Sequence, residues 1–132
     1  MSQQNVSLVQ SLYEAFGRGD IPAILGAMDE GIVWDIPQAP GYPLGGIHRG
    51  PQAIAREFFS IIPSYYQEFT AIPQHVVDDG DRVIVLGEYR GKGKASGTPF
   101  QVPVAHVYDF RDGRWIRFQE YTDTGTIAAA LE

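Results

Sequence analysis

The chain has no cysteine among its 132 residues, which excludes disulfides, thiolate catalysis and cysteine metal ligands. It has no run of about 18 apolar residues of the kind that spans a bilayer. Its first residues, MSQQNVSLVQ, lack the basic and then apolar pattern of a secretory signal, so a cytoplasmic protein is expected. Positive charge is scarce: Lys and Arg number 10 against 16 Asp and Glu, for a net charge of −6. That balance argues against nucleic acid and anionic membranes as partners. The short basic run Gly91-Lys92-Gly93-Lys94 lacks the glycine spacing and the Ser/Thr of a phosphate loop. None of the histidines at positions 48, 75 and 106 is spaced with another histidine or a carboxylate as a metal site requires. No Gly-x-Ser-x-Gly elbow occurs and no serine sits beside a histidine, so a nucleophilic triad has no support. No metal or other cofactor is expected. Without repeats, low-complexity tracts or linkers, residues 1–132 read as a single domain.

What is present is a helices-then-strands order. Residues 4–18 carry Val6, Val9, Tyr13 and Phe16 at helical spacing, widened by Leu8 and Leu12. Gly17 and Gly19 close that helix, and Asp20 caps a short second one with Pro22 in its first turn, running to about Met28. Residues 31–36 read as a short strand. Residues 37–48, with Pro37, Pro40 and Pro43 besides Gly41, Gly45 and Gly46, read as a loop long enough to be a lid over a site. Gly50-Pro51 opens a third helix, with Ile54, Phe58 and either Phe59 or Ile61/Ile62 on its apolar face, and Pro63 stops it. Strands are expected at 66–77, 82–91, 98–110 and 114–122. Asp79-Gly80 and Asp112-Gly113 mark hairpins between them. Asp123-Thr124 caps a short helix through Ala128-Ala129-Ala130. This order gives an α+β fold in which N-terminal helices pack on a curved, mostly antiparallel sheet. The hollow between the two layers, a cone with an open mouth, is the natural ligand site.

Ionisable groups in strands written for burial are the candidates for chemistry. His106 alternates with Val104, Tyr108 and Phe110 on the bulkier face of its strand. It reads either as a proton carrier or as a half-buried histidine tied to a carbonyl or carboxylate. On the next strand Ile116, Phe118, Glu120 and Thr122 share one face, and Trp115, Arg117, Gln119 and Tyr121 the other. An inward Glu120 would ion-pair with His106 or orient its ring; the alternative is a surface pair with Arg90 or Arg117. Asp123 is a helix cap or an acid. Glu88 lies in the series Ile84, Leu86, Glu88, Arg90, beside a ready structural partner. Asp35 follows Trp34 at the start of the Pro/Gly loop, where desolvation would raise its pKa; the alternative is a turn residue before Pro37. Tyr13, Phe16, Trp34, Phe58, Phe59, Tyr108 and Phe118 read first as core. Their number around the presumed hollow favours an apolar, ring-shaped ligand.

The order of segments resembles the nuclear transport factor 2-like superfamily of cone-shaped α+β barrels. The pieces that carry the likeness are Leu12-Tyr13-Glu14-Ala15-Phe16 with Gly19-Asp20-Ile21, then Val33-Trp34-Asp35, His48-Arg49-Gly50, Asp81-Arg82-Val83-Ile84-Val85, and His106-Val107-Tyr108 through Glu120-Tyr121-Thr122-Asp123. The branch it looks most like is that of the SnoaL-like polyketide cyclases. Likeness to ketosteroid isomerase implies a base near Asp35, His106 at the place of a protonated Asp, and a Tyr near Leu12 or Tyr13. Likeness to the polyketide cyclases implies proton transfer by His106 with Glu120 or Asp123, without metal or cofactor. Likeness to limonene epoxide hydrolase matches Asp123 and Glu88 to its acids, with Arg90 a substitute for its arginine.

The expectation is therefore cofactor-free acid–base catalysis on a small, apolar, oxygenated molecule. Asp35 or Asp123 takes a proton alpha to a carbonyl and His106 donates to the developing enolate, with Glu120 beside it. Tyr13, Phe16, Trp34, Phe58, Glu88, Val104, Tyr108 and Phe118 line the ligand's pocket. The exposed sheet face is expected to form a homodimer. The alternative is a non-catalytic ligand-binding or dimerisation module, with epoxide hydrolysis third.

Overall fold

A computed structural model describes residues 2–132. Helix α1 (Ser2–Arg18) buries Val9, Leu12 and Ala15 along one stripe. The buried Asn5 amide of this helix donates to the Gly80 carbonyl at 3.2 Å, tying it to a distant hairpin turn. The helix ends at Gly19, whose φ of 74° suits a residue without a Cβ. Asp20 then caps α2 (Ile21–Gly26) by accepting from the Ala23 N–H at 3.2 Å.

The first strand is longer than its periodicity suggests: β1 (Met28–Ile36) begins where the second helix is expected to end. The expected loop also holds a strand. Residues Gly46–Arg49 form β2, antiparallel to β1 with Trp34 opposite His48; four residues are too few to show a period. Pro63 does not stop the helical region. Helix α3 (Pro51–Glu57) passes through a tight turn at Phe59–Ile61 into α4 (Ile62–Tyr65). Pro63 lies in the first turn of α4, where its missing N–H has no intrahelical partner to lose.

Strands β3 (Tyr66–Asp79), β4 (Arg82–Gly93), β5 (Pro99–Arg111) and β6 (Arg114–Thr122) form the expected meander. At the β5–β6 turn both Asp112 and Gly113 have positive φ, 52° and 77°, as a two-residue hairpin turn requires. The sheet order is β2-β1-β6-β5-β4-β3, with β1 and β6 parallel and every other pair antiparallel. The sheet is open rather than a closed barrel, with β2 and β3 at its edges. Helix α1 lies against β3 and β4, α3 against β1 and β2, and α5 (Thr124–Leu131) against β4 and β5. No helix among the described residues is long and apolar enough to cross a membrane.

Alternation makes the sheet one-sided: Phe100, Val102, Val104, His106, Tyr108 and Phe110 of β5 are all buried. On β6 this alternation breaks. Phe110 pairs with Trp115 but Asp109 pairs with Arg117, so Ile116 is an extra residue in a bulge. Trp115 therefore faces inward together with Phe118, not outward with Arg117 as strict alternation implies.

Gly87 of β4 lies between Pro73 and Val104, beside the irregularity in β3. A Cβ there would run into the Ile72 carbonyl, which is backbone and cannot swing aside. Gly87→Ala should lower stability by roughly 1–3 kcal/mol, seen as a lower urea midpoint at unchanged slope. A wild-type midpoint would show that β3 yields at no cost.

Candidate active site

His106 sits at the middle of β5, opposite Val85 on β4 and Glu120 on β6. Its inward side chain meets α1, where Tyr13 places its hydroxyl 2.6 Å from Nδ1. Nε2 lies 2.5 Å from the Tyr89 hydroxyl of β4. Tyr89 in turn donates to Glu120 Oε1 at 2.5 Å, and Tyr42 donates to Glu120 Oε2 at 2.7 Å. At the other end Tyr108 donates to the Tyr13 oxygen at 2.8 Å. One continuous chain thus runs Tyr108, Tyr13, His106, Tyr89, Glu120, Tyr42.

With Glu120 ionised, proton counting fixes its direction, because each tyrosine has a single hydroxyl proton to donate. Tyr89 gives its proton to Glu120, so it accepts from His106 Nε2–H. Nδ1 is then the bare nitrogen and accepts from Tyr13, which accepts from Tyr108. Burial pushes the His106 pKa down to about 3, so the ring is neutral. Glu120 is only 2% exposed. Its burial pushes the carboxyl above the usual carboxylate range, while the hydroxyls of Tyr89 and Tyr42 pull the other way and lose. Burial also raises the pKa of Tyr13, Tyr42, Tyr89 and Tyr108 and keeps them protonated. Glu120 and His106 do not form the ion pair weighed from the sequence; Tyr89 stands between them.

Beside this chain lies a cavity of about 60 Å³. At roughly 10–15 Å³ for one water, it has room for several. Its walls are apolar, with Leu12, Phe16, Ile24, Trp34, Phe69 and Phe118 among them, and its polar groups are Tyr13, Tyr89, His106 and Tyr108. Trp34 stacks on Phe118 with ring centres 4.0 Å apart. Its buried indole N–H has no hydrogen-bond partner among the described residues.

The structure brings together His106, Glu120, Tyr13, Phe16, Trp34, Phe58, Tyr108 and Phe118, all but Glu120 on the cavity wall. It leaves the others outside. Asp35 points to the opposite face from Trp34, as strand neighbours must, and pairs with Arg117 at 3.0 Å. Asp123 is the α5 cap, accepting from the Thr126 N–H at 3.0 Å and its hydroxyl at 2.6 Å. Glu88 is on the outer face with Arg90, Gln74 and Gln101. Val104 is buried but does not line the cavity. The 37–48 segment is held down rather than free to act as a lid. Tyr42 and Leu44 are buried in the core, and His48 lies 2.8 Å from Glu57 and 3.2 Å from the Leu44 carbonyl.

Tyr89, Tyr42 and Trp115 lie outside the site that the sequence predicts. Tyr89 had a signal: it continues the alternation of Val83 and Val85, one residue from the Glu88 singled out. Tyr42, in a loop, had none.

Residues 9–118 match the family model of the SnoaL-like domain. Among solved structures, an NTF2-like protein of unknown function from Burkholderia pseudomallei is 29% identical, with a TM-score of 0.89 and 97% of each chain covered. TerC, co-crystallised with polyporic acid, is 28% identical with a TM-score of 0.87, covering 97% of this chain and 98% of its own. A candidate polyketide cyclase from Xanthomonas campestris pv. campestris is 26% identical with a TM-score of 0.80, covering 98% of each. No curated protein matches the chain.

Two buried groups, His106 and Glu120, pull the pH dependence of stability in opposite directions. The unfolded chain protonates His106 below its ordinary pKa of 6.5 while the folded protein resists until about 3. Stability therefore falls through that interval as pH drops, by up to about 1.4 kcal/mol per unit. Glu120, raised from 4.5, contributes stability that is full below 4.5 and lost as pH rises through its folded value. Glu120→Gln should remove only this second loss, measured by denaturant titration at a series of pH values. Identical pH profiles for variant and wild type would mean that Glu120 titrates alike in both states.

Proposed function

Because the chain belongs to the SnoaL-like domain family, we propose that it catalyses cofactor-free proton transfer on a small, largely apolar, oxygenated molecule held in the cavity beside His106. The observation that carries this reading is the placement of a neutral imidazole on an apolar cavity wall, its two nitrogens fixed by Tyr13 and Tyr89. A solvated histidine would need no such support. In the reaction a proton leaves the carbon alpha to a carbonyl, its electron pair becomes the enol C=C bond, and the oxygen gains charge. The proton passes inward through Tyr108 and Tyr13 to His106 and the groups behind it. Once it has passed, Tyr108, held protonated by burial, has a hydroxyl proton free for that oxygen. The acids Asp35 and Asp123 take no part, since neither reaches the cavity. Epoxide hydrolysis through Asp123 and Glu88 is dropped for the same reason.

The co-crystallisation of TerC with polyporic acid supports a small-molecule ligand. The unpartnered Trp34 N–H supports an oxygenated one, because a buried donor left unmade costs roughly 1–3 kcal/mol. A second reading, a binding module without turnover, is favoured by one fact: both His106 nitrogens are already bonded within the protein. The outer sheet face supports pairing with a second copy, since Ile47, Val77, Leu86 and Tyr121 lie exposed there.

Incubation with a panel of small aryl ketones in heavy water, followed by NMR, tests the catalytic reading. Deuterium should enter alpha to the carbonyl faster than in buffer, and Tyr13→Phe and His106→Gln should each slow entry about a hundredfold or more. Binding without exchange would favour the module. For the second copy, Leu86→Arg with Tyr121→Arg should halve the mass seen by light scattering. An unchanged mass would rule out that face.

A further inference from the structure

The mechanism above leaves the received proton at His106, whose burial makes a lasting imidazolium costly. The hydrogen-bond chain does not stop there. It continues through Tyr89 to Glu120, a carboxylate sealed in the core and off the cavity wall. Its two oxygens are occupied by Tyr89 and Tyr42, and Tyr66, whose pKa burial raises, lies near enough for the Glu120 charge to raise it further. Among the described residues no Lys or Arg pairs with Glu120. The groups that bond it are tyrosines, and His106, opposite it on β5 and held neutral by burial, stands behind Tyr89, so no cation is at hand to neutralise it.

We propose that Glu120 is the proton store of this site and that, through Tyr89, its protonation state selects the tautomer of His106 and turns the whole chain around. The proposal rests on the cavity being the reactive site. With Glu120 ionised, every proton points toward it: Tyr108 to Tyr13, Tyr13 to Nδ1, Nε2 to Tyr89, Tyr89 to Oε1. Tyr108 and Tyr13 then have their protons spent inward, and the Tyr108 oxygen is free to accept.

A proton entering at Tyr108 needs no imidazolium to reach the far end. Tyr108 takes it and passes its own to Tyr13, Tyr13 to Nδ1, Nε2 to Tyr89, and Tyr89 to Glu120. Each O–H or N–H bond broken is replaced by one formed on the same group. The negative charge moves from Glu120 to the species that gave up the proton, and every group between ends neutral. With Glu120 protonated the bonds run the other way: Glu120 to Tyr89, Tyr89 to Nε2, Nδ1–H to Tyr13, Tyr13 to Tyr108. The cavity now faces a Tyr108 hydroxyl free to donate. One carboxyl thus makes the same wall a base in one state and an acid in the other, as the two halves of an isomerisation or an aldol closure require. In this scheme Glu120 and Tyr89 are positioning residues that act through His106.

The test uses the full chain without any ligand, so an inactive ketone panel and a failed relay are separate results. Protein labelled with ¹⁵N-histidine is read by NMR for the protonated ring nitrogen of His106, whose signals are identified by their loss in His106→Gln. Above the titration of Glu120, followed by its ¹³C carboxyl signal, wild type should carry the proton on Nε2. In Glu120→Gln the side-chain amide donates to Tyr89 permanently, and the proton should sit on Nδ1 at every pH. In Tyr89→Phe the tautomer should be indifferent to the state of Glu120. The same tautomer in wild type and Glu120→Gln, a pH-dependent tautomer that survives Tyr89→Phe, or an imidazolium formed as Glu120 titrates would each overturn the proposal.

Discussion

A carboxyl group buried without a cation is the constraint around which this core is arranged. Glu120 is sealed within the protein, and transfer of an unpaired charge into such surroundings costs more than most domains have in reserve. The fold meets that cost with hydroxyls instead of a counter-ion. Tyr89 comes from β4, reaching across β5, and Tyr42 from the segment between β1 and β2. A lysine or arginine in their place would lock Glu120 ionised. Tyrosines leave its pKa raised, which is the property the proposed proton store needs.

Several features of the architecture follow from keeping those hydroxyls in reach. The 37–48 segment, rich in proline and glycine, is fastened at Tyr42 and Leu44 rather than left open above the cavity. Register does the rest on the sheet. Pairing His106 with Glu120 puts both on the inner face, and Tyr89 reaches between them because β4 keeps Val83, Val85 and Tyr89 on that same face. A one-residue slip of β6 would expel Glu120 to solvent and bring Tyr121 inside. The bulge at Ile116 lies beyond Glu120, toward the turn. It changes the wall, adding Trp115 beside Phe118, without disturbing the carboxyl.

Much of this was legible in the sequence because it follows from period and turn chemistry. Two Asp-Gly turns mark the hairpins, and alternation puts His106 on the bulkier face of its strand and ties Glu120 to the side Phe118 takes. The expectations that failed did so for identifiable reasons. Asp35 was grouped with Trp34 by adjacency, although neighbours on a strand face opposite sides. Glu88 drew attention as a charge, when the informative residue was the tyrosine next to it. A strict two-residue period places Trp115 outside, because a bulge is invisible to it. Tyr42 belongs to a loop, and its pairing with Glu120 joins residues 78 positions apart. Nothing local in the chain encodes that contact; it exists only once β1, β2 and β6 are side by side.

The same accounting bears on what the cavity selects. Its walls reward apolar surface, at about 25 cal/mol for each Å² removed from water, and would by themselves bind any hydrocarbon of suitable size. Two polar features narrow that choice. Trp34 lines the cavity, and its buried N–H has no acceptor among the described residues. The Tyr13–Tyr108 pair, at the other polar station, offers an acceptor or a donor according to the state of the chain behind it. A pure hydrocarbon leaves the indole donor unmade. A multiply charged ligand must shed its hydration against walls that hold no counter-charge. A ring carrying an oxygen for Trp34 and an ionisable or carbonyl group for the tyrosines satisfies both stations. Under the proposed relay it would also keep the net charge of the site unchanged while a proton moves between ligand and Glu120, and the economy of charge that permits a buried carboxyl would then also set the ligand's chemistry.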